Sequence, residues 1–548
     1  MNLVSRFARR LANAARLVRL VGPRETAVRA VRMARRKAAD LGSGLRARVR
    51  ANAADRGAAV VDPRALDGLF RQGQASWADY LRGLDLPPCR PIREVADGTM
   101  VFVDLRACAE DPAWLEGAVT QGPDDAVLLF ADVDDEASPL LPGLCEALAR
   151  GDREVLTFDS WRGVGEQVEP FFAPGANVLA LEAVDYLFSR FAMRRSAARR
   201  VLEAARAEGL TPYGLLRAWL AEANPVDARW RWRHDARPLA RLAVDEAVIT
   251  RAAEDARRRA DAALARRSRA APGSVSVVIC SKDKGWLLDQ IVRAVRRTGG
   301  DRIAEVVVVA NNTTDPHARE VHRRLAAEGL ATVIAHDAPF NFSRLSNLGA
   351  ASCRSPFLLL LNDDVVLLSD DWLEPLLAPF DDPTVGVAGP LLLYPDGRVQ
   401  HAGMYLGYGG IAGHVLRCGN PIGDDYHFMI SSPREVSAVT GAVMMVRTEI
   451  YRDLGGLDEG LASYLQDVDF CLRAGRMGHR IAYTPHAPLL HLESISVGED
   501  LARPWVKTQR AREHALFIQR WGSLTVHDPF HSPNFDAGAE SLRKLAAG

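Results

Sequence analysis

Largely apolar runs alternate with helix-like spacing along the chain after residue 274. The runs predict strands at VSVVI (275–279), EVVVVA (305–310), ATVIA (331–335) and FLLLL (357–361). Between them, apolar residues spaced three and four apart predict helices at 286–297, near 316–328 and near 343–353. Such alternation is typical of parallel βαβ units, in which ligands bind at the carboxyl ends of the strands. We therefore expect an α/β domain with a ligand site at that edge of its sheet.

Polar residues follow several of these predicted strands. They are Ser281 and Asp283 after the first strand, Asn311 and Asn312 after the second, and Asn362, Asp363 and Asp364 after the fourth. The last three belong to LLLLNDDVVLL, where two carboxylates and an amide suit Mg²⁺ or Mn²⁺ held against a substrate diphosphate. The alternative is a cap at a strand-to-turn junction, the commoner role of a lone Asp-Asp pair. The apolar strand in a nucleotide-type sheet favours the metal site.

A polar segment rich in Arg and Ala precedes this domain. It runs from about Asp245 to Ala271 and is closed by Pro272 and Gly273. The pattern predicts a helical linker between two globular parts.

The first 21 residues have the pattern of an amphipathic helix, and the arm stays Arg-rich to about Ala58. Residues 1–50 contain 14 Arg or Lys and 2 Asp or Glu, a net charge of +12, so the rest of the chain carries −12. Two interpretations of this helix have equal weight. The helix lies on anionic lipid, at about 1 kcal/mol per basic residue near the surface, or it packs on its own protein. A transit peptide ranks third.

The overall composition is typical of a soluble globular protein. Of 548 residues, 48% are hydrophobic and 25% charged, and no run approaches the ~18 to 20 apolar residues that span a bilayer. The seven cysteines are scattered and never spaced as CxxC, which predicts no disulfide framework or structural zinc and fits a reducing cytosol. Phe7 is the only aromatic residue among the first 50, which argues against a nucleic-acid binder.

Nine ordered blocks between about 274 and 535 resemble one family. They read VSVVICSKDKGWLL, VVVVANNTTDP, PFNFSRLSNLGAA, LLLLNDDVVLLSDDWLEPL, VGVAGPLLLYPDGRVQHAGMYLG, VSAVTGAVMMVRTEIYRDLGGLDE, YLQDVDFCLR, PLLHLESIS and RWGSLTVHDPFHSPNFD. Together they resemble the family 2 glycosyltransferases, inverting enzymes of GT-A fold. The likeness is strongest to the bacterial branch that builds O-antigen and other surface polysaccharides, including rhamnosyltransferase-like members. Nine blocks are far more specific than one short motif.

The resemblance implies a Rossmann-like GT-A domain with a divalent metal ion, Mn²⁺ or Mg²⁺. Asp364 is expected to be the first metal ligand and Asp363 the second, both facing the diphosphate of a nucleotide-sugar donor. His491, 24 residues after Asp467, is expected to complete the metal shell. Donor or nucleotide binding is expected of Ser281, Asp283, Asn311, Asn312, Asn347 and Asp363.

Asp467 and Asp469 lie two residues apart in SYLQDVDFCLR. Residues at this spacing point to different sides of a helix, so at most one of them faces a given cavity. The resemblance makes Asp467 the general base that takes the proton of an acceptor hydroxyl, with Asp469 and Gln466 as supporting residues. The alternative is that both acids merely cap the helix that follows.

Two residues depart from the family pattern. Ala310 stands where the family usually has an Asp that binds the pyrimidine, so UDP, dTDP and GDP donors all stay open. Gln466 stands where Glu or Asn is usual, and this change leaves Asp467 in place.

The front half, about 95–240, resembles the same superfamily faintly. AVLLFADVDDEASPLL predicts a strand that ends in an acidic element at 132–135, and VEPFFAPGANVLAL and YLFSRFAMRRSA are similar to further blocks of the polysaccharide enzymes. Between Gly57 and Asp132 one good strand, MVFVDL, is present, without the pair of βα units that cradles a nucleotide. We expect a truncated, degenerate transferase-like domain with a structural or acceptor-binding role; the alternative is an active second site.

The expected organisation has five segments. They are a basic helical arm (1–58), a degenerate glycosyltransferase-like domain (59–244), a helical linker (245–273), a GT-A catalytic domain (274–498) and a C-terminal helical extension (499–548). The expected function is sugar transfer from a nucleotide-sugar donor to a glycan or lipid-linked glycan acceptor; the alternative is a non-catalytic glycan-binding or scaffold subunit of a polysaccharide assembly complex. We expect a cytoplasmic protein, with attachment of the arm to the anionic inner face of the cell membrane as a further expectation.

Overall fold

The computed structural model of the protein describes residues 89–95, 99–164, 167–173, 177–207, 209–223, 228, 230–242, 244, 246–267, 274–421, 426–492, 504–524 and 528–535. Apart from Pro395–Gly397, these residues belong to one compact unit, Ser76–Tyr394 with Arg398–Gly548. The predicted basic arm at 1–58 lies outside the described residues.

In the described residues, the front half contains an eight-stranded mixed sheet, called the front sheet below. Its strands are β1 (Arg90–Pro91), β2 (Met100–Asp104), β3 (Val127–Ala131), β4 (Glu136–Ala137), β5 (Val155–Val164), β6 (Gln167–Phe171), β7 (Phe191–Arg194) and β8 (Trp232–Leu242). They lie in the order β1-β4-β8-β5-β7-β3-β2, with β6 beside β5. The helices are α1 (Ile92–Val95), α2 (Leu105–Glu110), α3 (Pro112–Thr120), α4 (Leu141–Arg150), α5 (Val178–Ala183), α6 (Arg195–Ala207) and α7 (Pro212–Glu222).

The described part of the back half contains a ten-stranded mixed sheet, called the back sheet, and a separate strand pair. The strands are β9 (Val275–Ser281), β10 (Ile303–Asn311), β11 (Thr332–His336), β12 (Phe357–Leu361), β13 (Val365–Leu367), β14 (Val385–Leu393), β15 (Val399–His401), β16 (Met404–Leu406), β17 (Ala412–His414), β18 (Arg434–Glu435), β19 (Val443–Arg447) and β20 (Arg480–His491). The back sheet has the order β11-β10-β9-β12-β19-β14-β20-β13, with β15 beside β14 and β18 beside β20; β16 and β17 pair with each other.

The remaining helices begin with the predicted linker. They are α8 (Glu246–Arg267), α9 (Gly285–Gly299), α10 (Pro316–Ala327), α11 (Phe342–Ala350), α12 (Leu373–Leu377), α13 (Thr448–Asp453), α14 (Gln466–Arg476) and α15 (Pro504–Trp521). None of the helices in the described ranges has the length and the apolar run that a bilayer crossing requires.

The predicted α/β fold is confirmed in its parallel half. The four predicted strands are β9 to β12, and β11, β10, β9 and β12 pair in parallel in that order. Every side chain of Phe357–Leu361 is buried, as expected for a strand covered on both faces of the sheet. Beyond β12 the sheet becomes mixed, because β19 runs antiparallel to β12. The carboxyl ends of β9, β10 and β12 therefore share one edge.

The predicted linker α8 is helical and packs on the front half. Its apolar residues Val248, Ile249 and Ala252 contact the front hydrophobic core. The guanidinium of Arg259 lies over the ring of Tyr213, 4.8 Å from its centroid. This helix is therefore part of the front domain's packed structure.

Buried polar contacts join the front half to the back half. The Asn177 side chain bonds to both backbone groups of Glu435, at 2.9 Å to the carbonyl and 3.0 Å from the N–H. Near the end of the described chain, Ser532 and Asn534 donate to the buried Asp159 carboxylate at 3.0 and 2.7 Å. Buried polar contacts are directional, so they fix how the two sheets are placed.

Candidate active site

Two predicted residues from neighbouring strands meet at the shared strand edge. Ser281 ends β9, Asp363 follows β12, and the Ser281 hydroxyl donates to Asp363 Oδ2 at 2.7 Å. Both side chains are buried. Burial, and then the charge of neighbouring Asp364, raises the pKa of Asp363 to about 7. The edge therefore holds a carboxyl group whose charged form is costly unless a cation lies close by.

Asp364 and His491 face each other beside this pair. His491 ends β20, and its Nε2 lies 3.1 Å from Asp364 Oδ1. Its Nδ1 lies 2.8 Å from Gln400 Oε1. A carboxamide oxygen can only accept, so Nδ1 carries a proton, and in the neutral imidazole Nε2 presents its lone pair to the carboxylate. Two acceptor atoms this close repel each other unless a cation or a proton lies between them.

The Asp364–His491 pair fits a divalent metal ion. Two ligands that each bind one ion at about 2.1 Å and at a right angle lie about 3 Å apart, close to the 3.1 Å observed. In the part of the chain that the structure describes, no three His, Cys, Asp or Glu side chains form a metal-binding group. Asp363, predicted as the second ligand, accepts from Ser281 through Oδ2, and its role as a metal ligand stays a prediction. Two protein ligands still suffice for Mg²⁺-type ions, whose shell substrate phosphates and water complete.

Asp467 lies in the first turn of α14 and contacts the loop before β19. Its Oδ2 accepts the backbone N–H of Gly441 at 2.8 Å. The next residue, Ala442, accepts the backbone N–H of Asn362 at 2.9 Å. Burial raises the pKa of Asp467, and the Gly441 N–H opposes that rise. A carboxylate with a raised pKa is a stronger base than an ordinary Asp, which suits proton abstraction.

Asp469 contacts a different set of elements, as the spacing of the two acids predicts. It is fully buried, and its carboxylate accepts from Arg473 Nε at 2.8 Å, Arg520 Nη1 at 2.6 Å and Trp521 Nε1 at 2.9 Å. Arg473 lies on the same helix, whereas the other two donors end α15. Asp469 thus fastens the helix that bears Asp467 to α15, a position that suits a supporting role.

Helix α15 also holds the loop that precedes α14. Glu513 is 2% exposed, and its Oε1 accepts the backbone N–H of Ala462 at 3.0 Å. Arg520 pairs with Asp458 at 2.7 Å. Sequence reasoning missed Glu513, Arg520 and Trp521 because they fall in the segment predicted only as an extension. The available signal was the block RWGSLTVHDPFHSPNFD, which begins at Arg520.

Three predicted donor-binding residues lie at neighbouring strand ends and bond to the backbone there. Asp283 accepts the N–H of Thr314 at 2.6 Å, and the amides of Asn311 and Asn312 donate to the carbonyl of Ala338. Asp283 and Asn312 have φ values of 52° and 47°, a conformation that side-chain-bearing residues adopt rarely and often near ligand sites. These residues shape the loops at the edge; their contact with a donor stays a prediction.

Two other predicted residues are placed differently. Asn347 Oδ1 accepts from the Leu457 N–H at 2.9 Å and the Tyr451 hydroxyl at 2.7 Å, and its Nδ2 donates to the Leu457 carbonyl at 2.9 Å. The amide of Asn347 thus holds the turn before α14, and its expected contact with a donor stays a prediction. Gln466 is 9% exposed, and its Oε1 has no hydrogen-bond partner among the described residues. Its supporting role beside Asp467 stays a prediction.

Comparison with known proteins places this site in a family. Residues 272–520 match the family described as glycosyltransferase like family 2. A 264-residue stretch is 34% identical to the uncharacterized protein y4gI of Sinorhizobium fredii (strain NBRC 101917 / NGR234), covering 47% of this chain and 29% of that protein. A 229-residue stretch is 32% identical to the O-antigen biosynthesis protein RfbC of Myxococcus xanthus, covering 40% and 17%. A solved structure of GalNAc-T7 with UDP, GalNAc and Mn²⁺ is 18% identical at a TM-score of 0.34, covering 41% of this chain and 44% of that one.

Residues 272–520 form a domain of the glycosyltransferase 2-like family, so the predicted resemblance is confirmed. The chain therefore carries a glycosyltransferase domain. It spans less than a third of the length of each of the two curated relatives. The matched range includes most of α15, and the predicted domain boundary at 498 stays a prediction.

Proposed function

We propose that this protein is a metal-dependent inverting glycosyltransferase. It moves a sugar from a nucleotide-sugar donor to a hydroxyl of a glycan or lipid-linked glycan acceptor in surface-polysaccharide synthesis. The observation that carries this proposal is the connection through Gly441 and Ala442, which joins the Asp467 carboxylate to Asn362. One end of the connection is the half-buried carboxylate proposed as the base, and the other is the element that contains Asp364. The family match and the O-antigen relative support the substrate class.

The reaction is a single displacement in which Asp467 acts as the general base. The acceptor oxygen forms a bond to the anomeric carbon while its proton passes to the Asp467 carboxylate. The bond between the anomeric carbon and the diphosphate oxygen breaks, and its electron pair leaves with the nucleoside diphosphate. Attack and departure on opposite faces invert the anomeric centre. A positioned base of this kind contributes ~10²- to 10⁴-fold to the rate.

Asp364 and His491 would hold the divalent ion, which when bound offsets the negative charge that develops on the leaving diphosphate. Gln400 fixes the His491 tautomer that directs Nε2 toward Asp364. Ser281 holds Asp363 at the same edge, where its carboxyl group adds negative potential as soon as it loses its proton.

The strand that would face the donor's nucleobase, β10, does not select one base. Ala310 is buried and pairs with Ala335 in the ladder between β10 and β11. A methyl group accepts no hydrogen bond, so the base-binding acceptor expected at this position is missing. UDP, dTDP and GDP sugars are therefore all candidate donors.

The N-terminal arm is proposed to hold a cytoplasmic enzyme on the inner face of the cell membrane, where a lipid-linked acceptor would lie. Its support is the net charge of +12 in residues 1–50. The full chain should co-sediment with vesicles that contain anionic phospholipid and stay in solution with zwitterionic vesicles. Deletion of residues 1–50 should release it from the anionic vesicles, and unchanged co-sedimentation would contradict the attachment.

The experiment that tests the proposed function is nucleoside-diphosphate release across a panel of nucleotide sugars, with and without Mn²⁺. Wild type is compared with Asp364→Asn and with Asp370→Asn, which alters an acid whose side chain is 77% exposed. We expect Mn²⁺-dependent release from one donor, lost in the first variant and kept in the second. A folded protein that binds a donor but neither hydrolyses nor transfers it, even with glycan acceptors present, would favour the glycan-binding subunit instead.

A further inference from the structure

Seven strands of the front sheet match seven strands of the back sheet in their pairing. The front pairs are β2–β3 parallel, β3–β7 and β7–β5 antiparallel, β5–β8 parallel, and β8–β4 and β5–β6 antiparallel. The back pairs are β9–β12 parallel, β12–β19 and β19–β14 antiparallel, β14–β20 parallel, and β20–β13 and β14–β15 antiparallel. The order along the chain also agrees, since β2 to β8 correspond in turn to β9, β12, β13, β14, β15, β19 and β20. The two halves therefore share one architecture.

The front copy lacks the strands on the donor side. In the back half, β10 and β11 lie between β9 and β12 in the chain, and β10 ends with Asn311. In the front half, the corresponding stretch 105–126 is fully described and contains only the helices α2 and α3. The front copy thus keeps the strands that correspond to those around Asp364 and His491 and has none that corresponds to the donor-binding ones.

The acidic element of the front copy lies at the position of the back half's metal element. Asp135 immediately precedes β4, as Asp364 immediately precedes the corresponding strand β13. The first residue of β4 pairs with Arg241, whereas the first residue of β13 pairs with His491. An arginine therefore stands where the back half has its predicted metal-binding histidine.

A second arginine bonds to the front carboxylate itself. Arg190 immediately precedes β7, as Ala442 precedes the corresponding strand β19. Its Nε and Nη2 donate to the two oxygens of Asp135 at 2.7 and 3.3 Å, and the two side chains are 6% and 0% exposed. A guanidinium is permanently charged and matches a carboxylate with two parallel bonds. The guanidinium of Arg190 thus supplies the positive charge that a metal ion would otherwise bring to Asp135.

The outer acids of the front element also have a guanidinium partner. Arg106 Nε donates to Asp132 Oδ2 at 3.1 Å, and its Nη2 pairs with Asp134. Asp134 and Arg106 are largely exposed, so their pairing stabilises the fold little. The buried pair of Asp135 and Arg190 is the one whose loss would leave an uncompensated charge.

We propose that the front domain is a second copy of the transferase sheet in which Arg190 has taken the place of the metal ion. The described residues then hold a single metal and donor site, at Asp364, and the front acidic element is a structural ion pair. The front domain supports the back site structurally. Its Asn177 holds the backbone of Glu435 in β18, and β18 pairs with β20, the strand that ends in His491. The identity of the back site rests on the proposed function; the closure of the front site is the new element.

Mn²⁺ binding by the full-length protein tests this inference, with free Mn²⁺ followed by electron paramagnetic resonance during titration. The variants are Asp135→Asn, Asp364→Asn and the exposed control Asp134→Asn. We expect one Mn²⁺ per chain in the wild type and at least tenfold weaker binding in Asp364→Asn. Asp135→Asn and Asp134→Asn should keep the stoichiometry and the affinity, while Asp135→Asn alone lowers the thermal unfolding midpoint markedly. Should that variant fail to fold, Arg190→Lys replaces it, because lysine keeps the charge without the two parallel bonds. Arg190→Lys should bind Mn²⁺ like the wild type and have a lower thermal unfolding midpoint.

Two Mn²⁺ ions per chain, one of them lost in Asp135→Asn, would overturn the inference and leave the proposed function intact. An unfolding midpoint that Asp135→Asn leaves unchanged would also overturn it. Absence of Mn²⁺ binding in every variant would instead contradict the metal dependence of the proposed function. In that case the double variant Asp135→Asn with Arg190→Gln is compared with Asp135→Asn alone. A higher thermal unfolding midpoint in the double variant supports the ion pair, and an equal or lower midpoint overturns it.

Discussion

The backbone N–H of Gly441 donates to the Asp467 carboxylate at 2.8 Å, and no guanidinium is recorded on that carboxylate among the described residues. Asp469, two residues on, accepts from Arg473 and Arg520. Both oxygens of the Asp469 carboxylate are thereby engaged by guanidinium groups. Asp467, which lies in a buried setting that raises its pKa, can take a proton. These partners suit Asp467 to take a proton and Asp469 to hold its helix in place.

Loss of the Asp469 charge should destabilise the fold. An amide in its place would turn an N–H toward a donor and leave Arg473 and Arg520 without their anion. We expect Asp469→Asn to lower the free energy of unfolding by about 3 kcal/mol, measured by urea denaturation. Asp453→Asn, at an exposed position of α13, is the control and should change it by less than about 0.5 kcal/mol. Equal stabilities for the two variants would contradict the clamping role.

The indole of Trp521 should matter through its single N–H. Trp521→Phe keeps an aromatic ring for Arg476, which lies 4.1 Å from the centroid of the Trp521 ring, and removes the bond to Asp469. We expect a loss of about 1 kcal/mol in stability and a several-fold lower kcat with the KM for the donor unchanged. A change in donor KM without a change in kcat would argue that α15 serves donor binding rather than the placement of α14.

The contact between Gln400 and His491 should tune metal affinity. Without the Gln400 carbonyl, the His491 ring loses the bond that fixes its tautomer and its orientation. We expect Gln400→Leu to weaken Mn²⁺ binding by about 10- to 100-fold in calorimetric titration. The exposed Gln121, changed to Leu in parallel, should leave the affinity unaltered. Wild-type affinity in Gln400→Leu would rule out a role for this contact.

Asp528 predicts a pH dependence of stability. Its carboxylate accepts the backbone N–H groups of Leu406 and Phe530 at 2.6 and 2.8 Å, and burial raises its pKa to about 6. A raised carboxyl pKa stabilises the fold below the ordinary value near 4, and this contribution is lost as the pH rises through about 6. The gap between the two values corresponds to about 3 kcal/mol.

The comparison with Asp528→Asn isolates this effect, because the variant has no charge to bury at that position. Unfolding free energies should be measured for both proteins between pH 4 and pH 8. The stability of the wild type relative to the variant should fall over that range. A difference that stays flat, or that grows with pH, would contradict the raised pKa.

Much of the parallel half of the sheet was predictable from the sequence. A strand buried on both faces reads as a continuous apolar run, and FLLLL is β12 residue for residue. Helical geometry also predicted that Asp467 and Asp469 contact different elements. The antiparallel strand β19 was not predicted, because the local apolar pattern does not encode the direction of pairing.

The supports of the site depend on contacts between distant positions, which leave no periodic trace in the sequence. Gln400 lies 91 residues before His491, and Trp521 lies 52 residues after Asp469. The contact of Asn347 with Leu457 was not predicted for the same reason, since the two residues are 110 positions apart. The correspondence of the two sheets became visible only when the strand pairings were compared, because the front half resembles the family only faintly in sequence.

The most direct test of the central claim is turnover and donor binding by Asp467→Asn. The amide is nearly isosteric with the carboxylate and cannot take the acceptor's proton. Steady-state turnover with the identified donor should fall by about 10²- to 10⁴-fold. The calorimetric dissociation constant for the donor should stay within twofold of the wild type, and the variant should stay folded, although its amide can accept only one of the two N–H groups that the carboxylate accepts. Turnover within tenfold of the wild type, in a variant that folds and binds the donor, would contradict the assignment of Asp467 as the base.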